Sequence, residues 1–436
     1  MRDRQPRLLI KNGTLIDGSG REPTANTLVA VDGNRISNVG PAGASMRPQT
    51  PDDTVIDAAG KFILPGLIDA HCHISLHQGA LPGTKYRSSA EFCTLWAARS
   101  IARVLRAGVT SIAVPGGKWF TDVTVREAVE AGLLEGPRMV VAGRALSNYG
   151  GIFDPDAYPA YDGTPNDAAG VLCNTRDGFI RETRKQCKRG VDLIKIADST
   201  WGDTQTVADD EIMAVVDEAH RHNVKVAIHS RGSTSTLAAA KAGVDLIYHA
   251  DLATEDDLDV VAKVGMPIAP VLTSPWIGVE HGAAARGFGD RVRDRLRAQL
   301  DTSFQMIRNA RARGIPILSG SDTGNASAFA HGKWHGKEAE LFVSEIGMTP
   351  MEAILANTSG NAAIVNLAGE VGVIGPGKLA DIVIWDSDPT ADITVLQRPN
   401  EIATIIKDGR VVDRQAVGGF RRLDEEPGRA RIFVQD

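Results

Sequence analysis

The sequence predicts an α/β protein in which a parallel (β/α)8 TIM barrel is inserted into a small β-sandwich built from both chain termini. Short strands with tight turns occupy both ends of the chain, and between them strand-like and helix-like segments alternate. With 436 residues, the chain is too long for one compact core but long enough for a barrel and a smaller domain. We therefore expect the barrel at 64–368 and the two parts of the β-sandwich at 1–63 and 369–436.

The two ends of the chain show apolar runs and turn signals without a helical period. Near the N-terminus, Asn12-Gly13 and Asp32-Gly33 separate short apolar runs, and such dipeptides are strong hairpin signals. Near the C-terminus, the apolar runs 381–385 and 402–406 show the same character. These patterns indicate β-sheet at both ends.

The central part of the chain alternates between the two patterns. Eight strand candidates in series with helices are typical of a parallel barrel. The predicted strands are 62–70, 108–114, 138–142, 192–196, 224–228, 246–248, 266–272 and 315–318. The predicted helices are 124–131, 176–189, 209–222, 233–242, 290–313, 350–356 and 360–367.

Composition narrows the class of protein. The 48 basic and 54 acidic residues give a net charge of −6, which argues against nucleic-acid and membrane-surface partners because both favour basic patches. The four cysteines form no CxxC pair, so a reducing compartment is expected. We find neither a signal-peptide core nor an apolar stretch long enough to span a bilayer. The sequence therefore predicts a cytoplasmic protein.

Polar side chains occur where the predicted barrel strands end. In barrel enzymes the carboxyl ends of the strands converge on one mouth, which holds the active site. Taken one at a time, each of these polar residues has an ordinary explanation, such as a hydrogen-bonded core histidine or a turn-forming aspartate. A lysine inside an apolar strand is less ordinary, because lysine is almost never buried unpaired. Together they predict a metal site, with His71, His73, Lys195, His229, His249 and Asp322 as candidate ligands.

These segments carry a family resemblance. The chain resembles the amidohydrolase superfamily, and within it the imidazolonepropionase-like group that includes Xaa-Pro dipeptidases, arginine carboxypeptidases and ochratoxin-hydrolysing amidohydrolases. The resemblance covers nearly the whole chain. The matching segments are 64–73 (LPGLIDAHCH), 192–196 (DLIKI), 226–229 (VAIH), 246–249 (LIYH), 320–324 (GSDTG), 335–341 (HGKEAEL) and 375–383 (GPGKLADIV).

The resemblance implies a binuclear metal centre and its chemistry. It implies that Lys195 reacts with CO2 to form a carbamate that bridges two divalent metal ions. One metal would bind His71, His73, the carbamate and Asp322, and the other the carbamate, His229 and His249. Zinc suits these ligands, and manganese or cobalt also fits. The implied reaction is hydrolysis of an amide-type bond by a metal-bridging hydroxide, with Asp322 as general base and then acid and with Lys195 and His249 as further catalytic residues.

Three residues are candidates for substrate binding. Arg231 lies two residues after His229 and could bind a substrate carboxylate, or it could pair with a loop acid. Tyr149 belongs to a long aromatic and glycine-rich loop that also contains Phe153, Tyr158 and Tyr161, which suggests a lid over the substrate or an oligomer contact. His335 is expected near the site, in a structural or substrate-binding role.

We expect a small-molecule substrate, namely an N-acyl amino acid, a dipeptide, or a xenobiotic amide, carbamate or urea. A homo-oligomer is also expected. Two alternatives stay open: a mononuclear enzyme that opens a cyclic amide, as imidazolonepropionase does, and a non-catalytic binding protein of the same fold. The presence of Lys195 argues against the first, because a one-metal site has no use for a bridging carbamate.

Overall fold

A computed structural model describes residues 7–41, 53–76, 89–154, 170–198, 202–286, 289–324 and 330–414. The strands are β1 (Arg7–Leu15), β2 (Thr24–Asp32), β3 (Arg35–Pro41), β4 (Thr54–Asp57), β5 (Phe62–Pro65), β6 (Leu67–Asp69), β7 (Val109–Val114), β8 (Arg138–Val141), β9 (Ala145–Ser147), β10 (Gly170–Leu172), β11 (Leu193–Ala197), β12 (Lys225–Ser230), β13 (Leu246–His249), β14 (Ile268–Ala269), β15 (Ile382–Trp385), β16 (Ile402–Lys407) and β17 (Arg410–Val411). The α-helices are α1 (Ala90–Arg106), α2 (Thr121–Glu130), α3 (Arg176–Lys188), α4 (Asp209–Arg221), α5 (Ser233–Ala242), α6 (Glu255–Val264), α7 (Thr273–Arg286), α8 (Asp290–Ala312), α9 (Lys337–Ser344) and α10 (Pro350–Ala356).

Strands from both ends of the chain form one eight-stranded sheet. Its order is β17-β16-β15-β5-β1-β2-β3, with β4 also paired to β1. The N-terminal and C-terminal parts meet where β15 runs antiparallel to β5. The Ile36 N–H donates to the Lys378 carbonyl at 2.9 Å, so β3 contacts the segment before β15 and the sheet folds back on itself. It encloses a core of its own that includes Ile10, Val29 and Ile384.

The central strands are parallel and lie in two sheets, β6-β7-β8 and β10-β9-β11-β12-β13-β14. Backbone hydrogen bonds connect these sheets on both sides. The Asp192 N–H donates to the Val141 carbonyl, and on the other side the Leu318 N–H donates to Ile268 and the Ala70 N–H to Ser319, each at 2.9 Å. The predicted α/β class, with parallel strands, helices and a separate sheet from the termini, is confirmed. The domain limits at 63/64 and 368/369 stay predictions.

Small side chains line the space between the parallel strands. This buried cluster contains leucines, the ring of Tyr248, whose exposed fraction is 0%, and six alanines, five of which lie in the parallel strands or directly after them. Small residues leave room there for a few large side chains directly beneath the carboxyl ends of the strands. These five alanines are Ala70, Ala113, Ala142, Ala227 and Ala269.

The structure differs from the predicted elements in three places, and in the first of these the strand predicted at 315–318 is reduced to a single β-bridge at Ile317. The helix predicted at 360–367 is limited to a 3-10 turn, Ser359–Asn361. The reason is that the Asn361 amide nitrogen donates to the carbonyls of Ile68 at 2.6 Å and Ser319 at 2.8 Å, which ties this segment to the strands. The strand predicted at 266–272 is reduced to Ile268–Ala269.

Two further predictions concern cysteines and membranes. All four cysteines lie within the described residues, and all are free thiols. Within the described ranges, no helix has both the length and the apolar character needed to cross a bilayer.

Candidate metal centre

The six candidate ligands lie at the carboxyl ends of the parallel strands. None of these side chains is more than 6% exposed, so their polar atoms need partners other than bulk water. His71 and His73 follow β6, Lys195 lies in β11, and His229 lies in β12. His249 ends β13, and Asp322 follows the 315–319 segment.

Three of these side chains converge closely enough to hold one cation. The Nε2 atoms of His71 and His73 lie 3.2 Å apart. Oδ1 of Asp322 lies 3.3 Å from Nε2 of His73 and 3.7 Å from Nε2 of His71. His73 Nδ1 donates to the Gly116 carbonyl at 2.9 Å, which leaves the lone pair on Nε2, the atom that faces the cluster. This is a ligand arrangement that suits a divalent metal.

The remaining three side chains lie next to this cluster. The rings of His229 and His249 have centroids 4.4 Å apart, and the His249 ring lies 6.0 Å from the His71 ring. Lys195 Nζ lies 4.0 Å from the centre of the Tyr248 ring, which in turn is 4.2 Å from the His71 ring. The structure therefore brings all six predicted ligands to one mouth.

Four buried nitrogen atoms at this mouth have no hydrogen-bond partner among the described residues. Burying a polar atom without a partner is costly, and such atoms are rare in native proteins. Imidazole nitrogens bind divalent cations and a lysine amine can form a carbamate, so the residue types fit the metal centre that the family resemblance implies. The atoms are His71 Nδ1, Lys195 Nζ, His229 Nε2 and His249 Nδ1.

Burial also sets the charge of these groups. It lowers the pKa of His71, His229 and His249 well below the usual range, so the three imidazoles are neutral at pH 7. Burial likewise lowers the pKa of Lys195 well below that of an ordinary lysine. For Asp322, burial raises the pKa, but its interactions with the imidazoles of His71 and His73 outweigh this effect, and the pKa falls below its usual value. Neutral imidazoles and an ionised carboxylate are the forms that bind metals.

A buried carboxylate joins the two chain segments that carry His71 and Asp322. Oδ1 of Asp69 accepts the N–H groups of His71 and Ser321, each at 3.0 Å. Oδ2 accepts the Ser321 hydroxyl at 2.5 Å and lies 2.8 Å from Nδ1 of His335. The structure thus places His335 against Asp69. This role of Asp69 was not predicted, although the residue lies in the quoted motif two positions before His71.

Left-handed backbone occurs at three strand ends around the site. His249 has φ +79°, Asp322 has φ +55° and Val271 has φ +58°. For residues other than glycine such conformations cost on the order of 1–3 kcal/mol each and concentrate at functional sites. They turn the chain sharply at the mouth, and no pattern in the sequence signals them.

Arg231 and Tyr149 lie in different surroundings. Arg231 is buried and its guanidinium pairs with Asp251, which also accepts from Gln299 at 2.9 Å and Ser303 at 2.8 Å. Tyr149 is 71% exposed, and its N–H donates to the Asn174 side chain at 2.8 Å. Tyr158 and Tyr161 lie outside the described residues.

Comparisons with known proteins agree with this geometry. The profile of the amidohydrolase family matches residues 62–412. Ochratoxinase from Aspergillus niger is 28% identical over 94% of this chain and 87% of its own length. Imidazolonepropionase from Sphingopyxis alaskensis is 23% identical over 88% of this chain and 92% of its own length.

A solved structure of a Xaa-Pro dipeptidase with bound methionine in the active site has a TM-score of 0.81 and 26% identity, and covers 93% of this chain and 100% of its own. A molinate hydrolase structure has a TM-score of 0.78 and 25% identity, and covers 99% of this chain and 100% of its own. Because the family profile spans most of the chain, the protein belongs to the amidohydrolase family and is a hydrolase acting on carbon–nitrogen bonds.

Proposed function

We propose that this protein is a binuclear metal-dependent amidohydrolase that cleaves an amide-type C–N bond in an N-acyl amino acid, a dipeptide, or a xenobiotic amide, carbamate or urea. One observation carries the proposal: the His71, His73 and Asp322 cluster lies at one mouth with the rings of His249 and His229 and with the buried Lys195 amine, which has no hydrogen-bond partner among the described residues. Side-chain packing alone does not explain why a polar nitrogen atom without a hydrogen-bond partner is buried here.

The ligand assignment follows the two neighbouring clusters. His71, His73 and Asp322 would hold one ion, His229 and His249 the other, and a carbamate on Lys195 would bridge them. Zinc fits imidazole and carboxylate ligands best, and manganese and cobalt are the next candidates. When bound, such ions bring the pKa of a water to about 7 and polarise the scissile carbonyl.

Asp322 is the residue that moves a proton. Its carboxylate stays ionised because of His71 and His73, so it can accept a proton from the attacking water. It then returns this proton to the leaving nitrogen, which must be protonated to depart as an amine. Asp69 supports Asp322 by tying its chain segment to that of His71.

The substrate class rests on the relatives. Ochratoxinase, the Xaa-Pro dipeptidase and molinate hydrolase are hydrolases by name. Binding of a substrate carboxylate by Arg231 stays a prediction, and in the structure its guanidinium pairs with Asp251. Contacts of Tyr149 and His335 with substrate stay predictions, as do a homo-oligomer and a cytoplasmic location.

A second candidate function is hydrolysis of a cyclic amide by one metal. It is supported by the fact that His71, His73 and Asp322 alone form a compact group of ligands, and by the similarity to imidazolonepropionase. Lys195 favours the binuclear enzyme, because its unpartnered Nζ has no role in a one-metal site.

Metal analysis and a substrate panel test the proposal. The protein is dialysed against a chelator, reloaded with zinc in bicarbonate, and assayed on acyl amino acids, dipeptides, anilides and cyclic amides. Two zinc equivalents per chain and zinc-dependent cleavage of linear amides are expected. His249→Asn should lose turnover, whereas the control His220→Asn, a half-exposed surface histidine, should keep it. One equivalent with cyclic-amide cleavage would favour the second candidate, and the absence of zinc-dependent turnover would favour a binding protein.

A further inference from the structure

Beneath the metal centre lies Tyr248, a residue to which neither the motif nor the mechanism gives a role. We propose that its ring packs beneath the centre and positions Lys195 for carbamylation, so that retention of the second metal depends on this ring. This inference rests on the proposed binuclear function. Tyr248 would act through Lys195 rather than touch the substrate, and it is therefore a positioning residue.

The contacts of the ring carry the inference. Tyr248 contacts two candidate ligands at once, since Lys195 Nζ lies 4.0 Å from its ring centre and the His71 ring centroid lies 4.2 Å away. Its hydroxyl donates to the Ala70 carbonyl at 2.9 Å, one residue before His71. The hydroxyl thus fixes the ring to the chain segment of His71, and the face of the ring packs against the Lys195 amine.

The strand register explains why this ring reaches Lys195. Lys195 on β11 is the register partner of Ala227 on β12, and Ala227 is the register partner of Leu246 on β13. Tyr248 lies two residues farther along β13, on the same face as Leu246 and nearer the mouth. The small side chain of Ala227 between them leaves the Lys195 arm and the tyrosine ring in contact.

The position of the Tyr248 ring beneath Lys195 has a chemical consequence. In carbamylation, the lone pair of the neutral Lys195 amine forms an N–C bond with dissolved CO2, one C–O π pair moves to oxygen, and a proton leaves to solvent. The product is an anionic carbamate on the former amine. A flat apolar face under Nζ keeps water from solvating the amine on that side and limits the rotamers of the long arm. The carbamate oxygens then form where the histidines can share a metal with them.

The test uses the zinc-loaded full-length protein prepared in 13C-bicarbonate. The readouts are the carbamate 13C signal and the zinc affinity measured by chelator competition. Tyr248→Phe keeps the ring and removes its anchor, and we expect the second zinc to bind about 2- to 10-fold more weakly. Tyr248→Leu removes the ring, and we expect loss of the carbamate signal and about 10- to 100-fold weaker binding of the second zinc.

Phe179→Leu is the matched control, because Phe179 is equally buried but packs in the core of the helical layer. It should lose stability and keep both the carbamate and two zinc equivalents. The inference is overturned if Tyr248→Leu or Tyr248→Phe equals the wild type in both readouts, or if Phe179→Leu loses the carbamate as well. A wild-type protein that holds two zinc ions and no carbamate overturns this inference alone, and one that holds a single zinc overturns the proposed binuclear function with it.

Discussion

Asp69→Ala is expected to lower the free energy of unfolding of the metal-free protein by about 3–5 kcal/mol. The carboxylate accepts four hydrogen bonds, two of them from the buried N–H groups of His71 and Ser321. Each N–H left without an acceptor costs about 1–3 kcal/mol, and His335 and the Ser321 hydroxyl lose their partner as well. Asp69→Asn keeps one acceptor oxygen and should cost about 1–2 kcal/mol.

Urea unfolding of the metal-free protein measures this cost, and chelator competition measures the zinc affinity of the folded protein. Because Asp69 ties the chain segment of His71 to that of Asp322, both variants should bind zinc more weakly while still folded. Asp257→Ala is the control, since Asp257 is also a buried carboxylate but binds Ser233 and Thr254 away from the site. An Asp69→Ala variant that loses stability but binds zinc as tightly as Asp257→Ala would contradict this prediction.

Three further predictions concern packing, pH and a buried ion pair. Gly320→Ala places a Cβ 2.7 Å from that of His71, so it should weaken zinc binding and cost about 1–3 kcal/mol, whereas Gly375→Ala, with open space around it, should do neither. Unfolded histidines titrate near 6.5, but the pKa values of His71, His229 and His249 are lowered in the fold. In the unfolded chain these three residues therefore bind up to three more protons as the pH falls below that value, and they should contribute a loss of stability of up to about 4 kcal/mol per pH unit in the metal-free protein. His229→Asn should reduce the slope of stability against pH by up to about 1.4 kcal/mol per pH unit in urea unfolding, and an unchanged slope would contradict this prediction. Asp251→Ala leaves Arg231 buried without its carboxylate and should cost about 3–5 kcal/mol in urea unfolding, most of which the added Arg231→Met should recover; simple additivity would contradict this.

The strands and most of the ligands could be predicted because their signals are local. An apolar run that ends in His71 or His249 shows both the strand and the point where it opens. The order of these runs along the chain then predicts one mouth, since parallel strands all end on the same side. This is why six residues distant in sequence could be placed together.

The supporting contacts could not be predicted because they join segments far apart in the chain. Asp69 and Ser321 are 252 positions apart, and Glu338 caps the start of α7 from 65 positions away through the Thr273 N–H at 2.8 Å. The 3-10 turn at Asn361 has the same origin, since its amide bonds to strands 42 and 293 positions away override a local helical pattern. Such contacts have no periodicity that a sequence can show.

An anomalous-difference map from crystals of the zinc-loaded protein would show how many metal ions this mouth holds and which residues bind them. We expect two metal peaks, one bounded by His71, His73 and Asp322 and the other by His229 and His249, with continuous electron density from Lys195 Nζ to both. A single peak with an unmodified Lys195, or metal bound away from this mouth, would contradict this prediction.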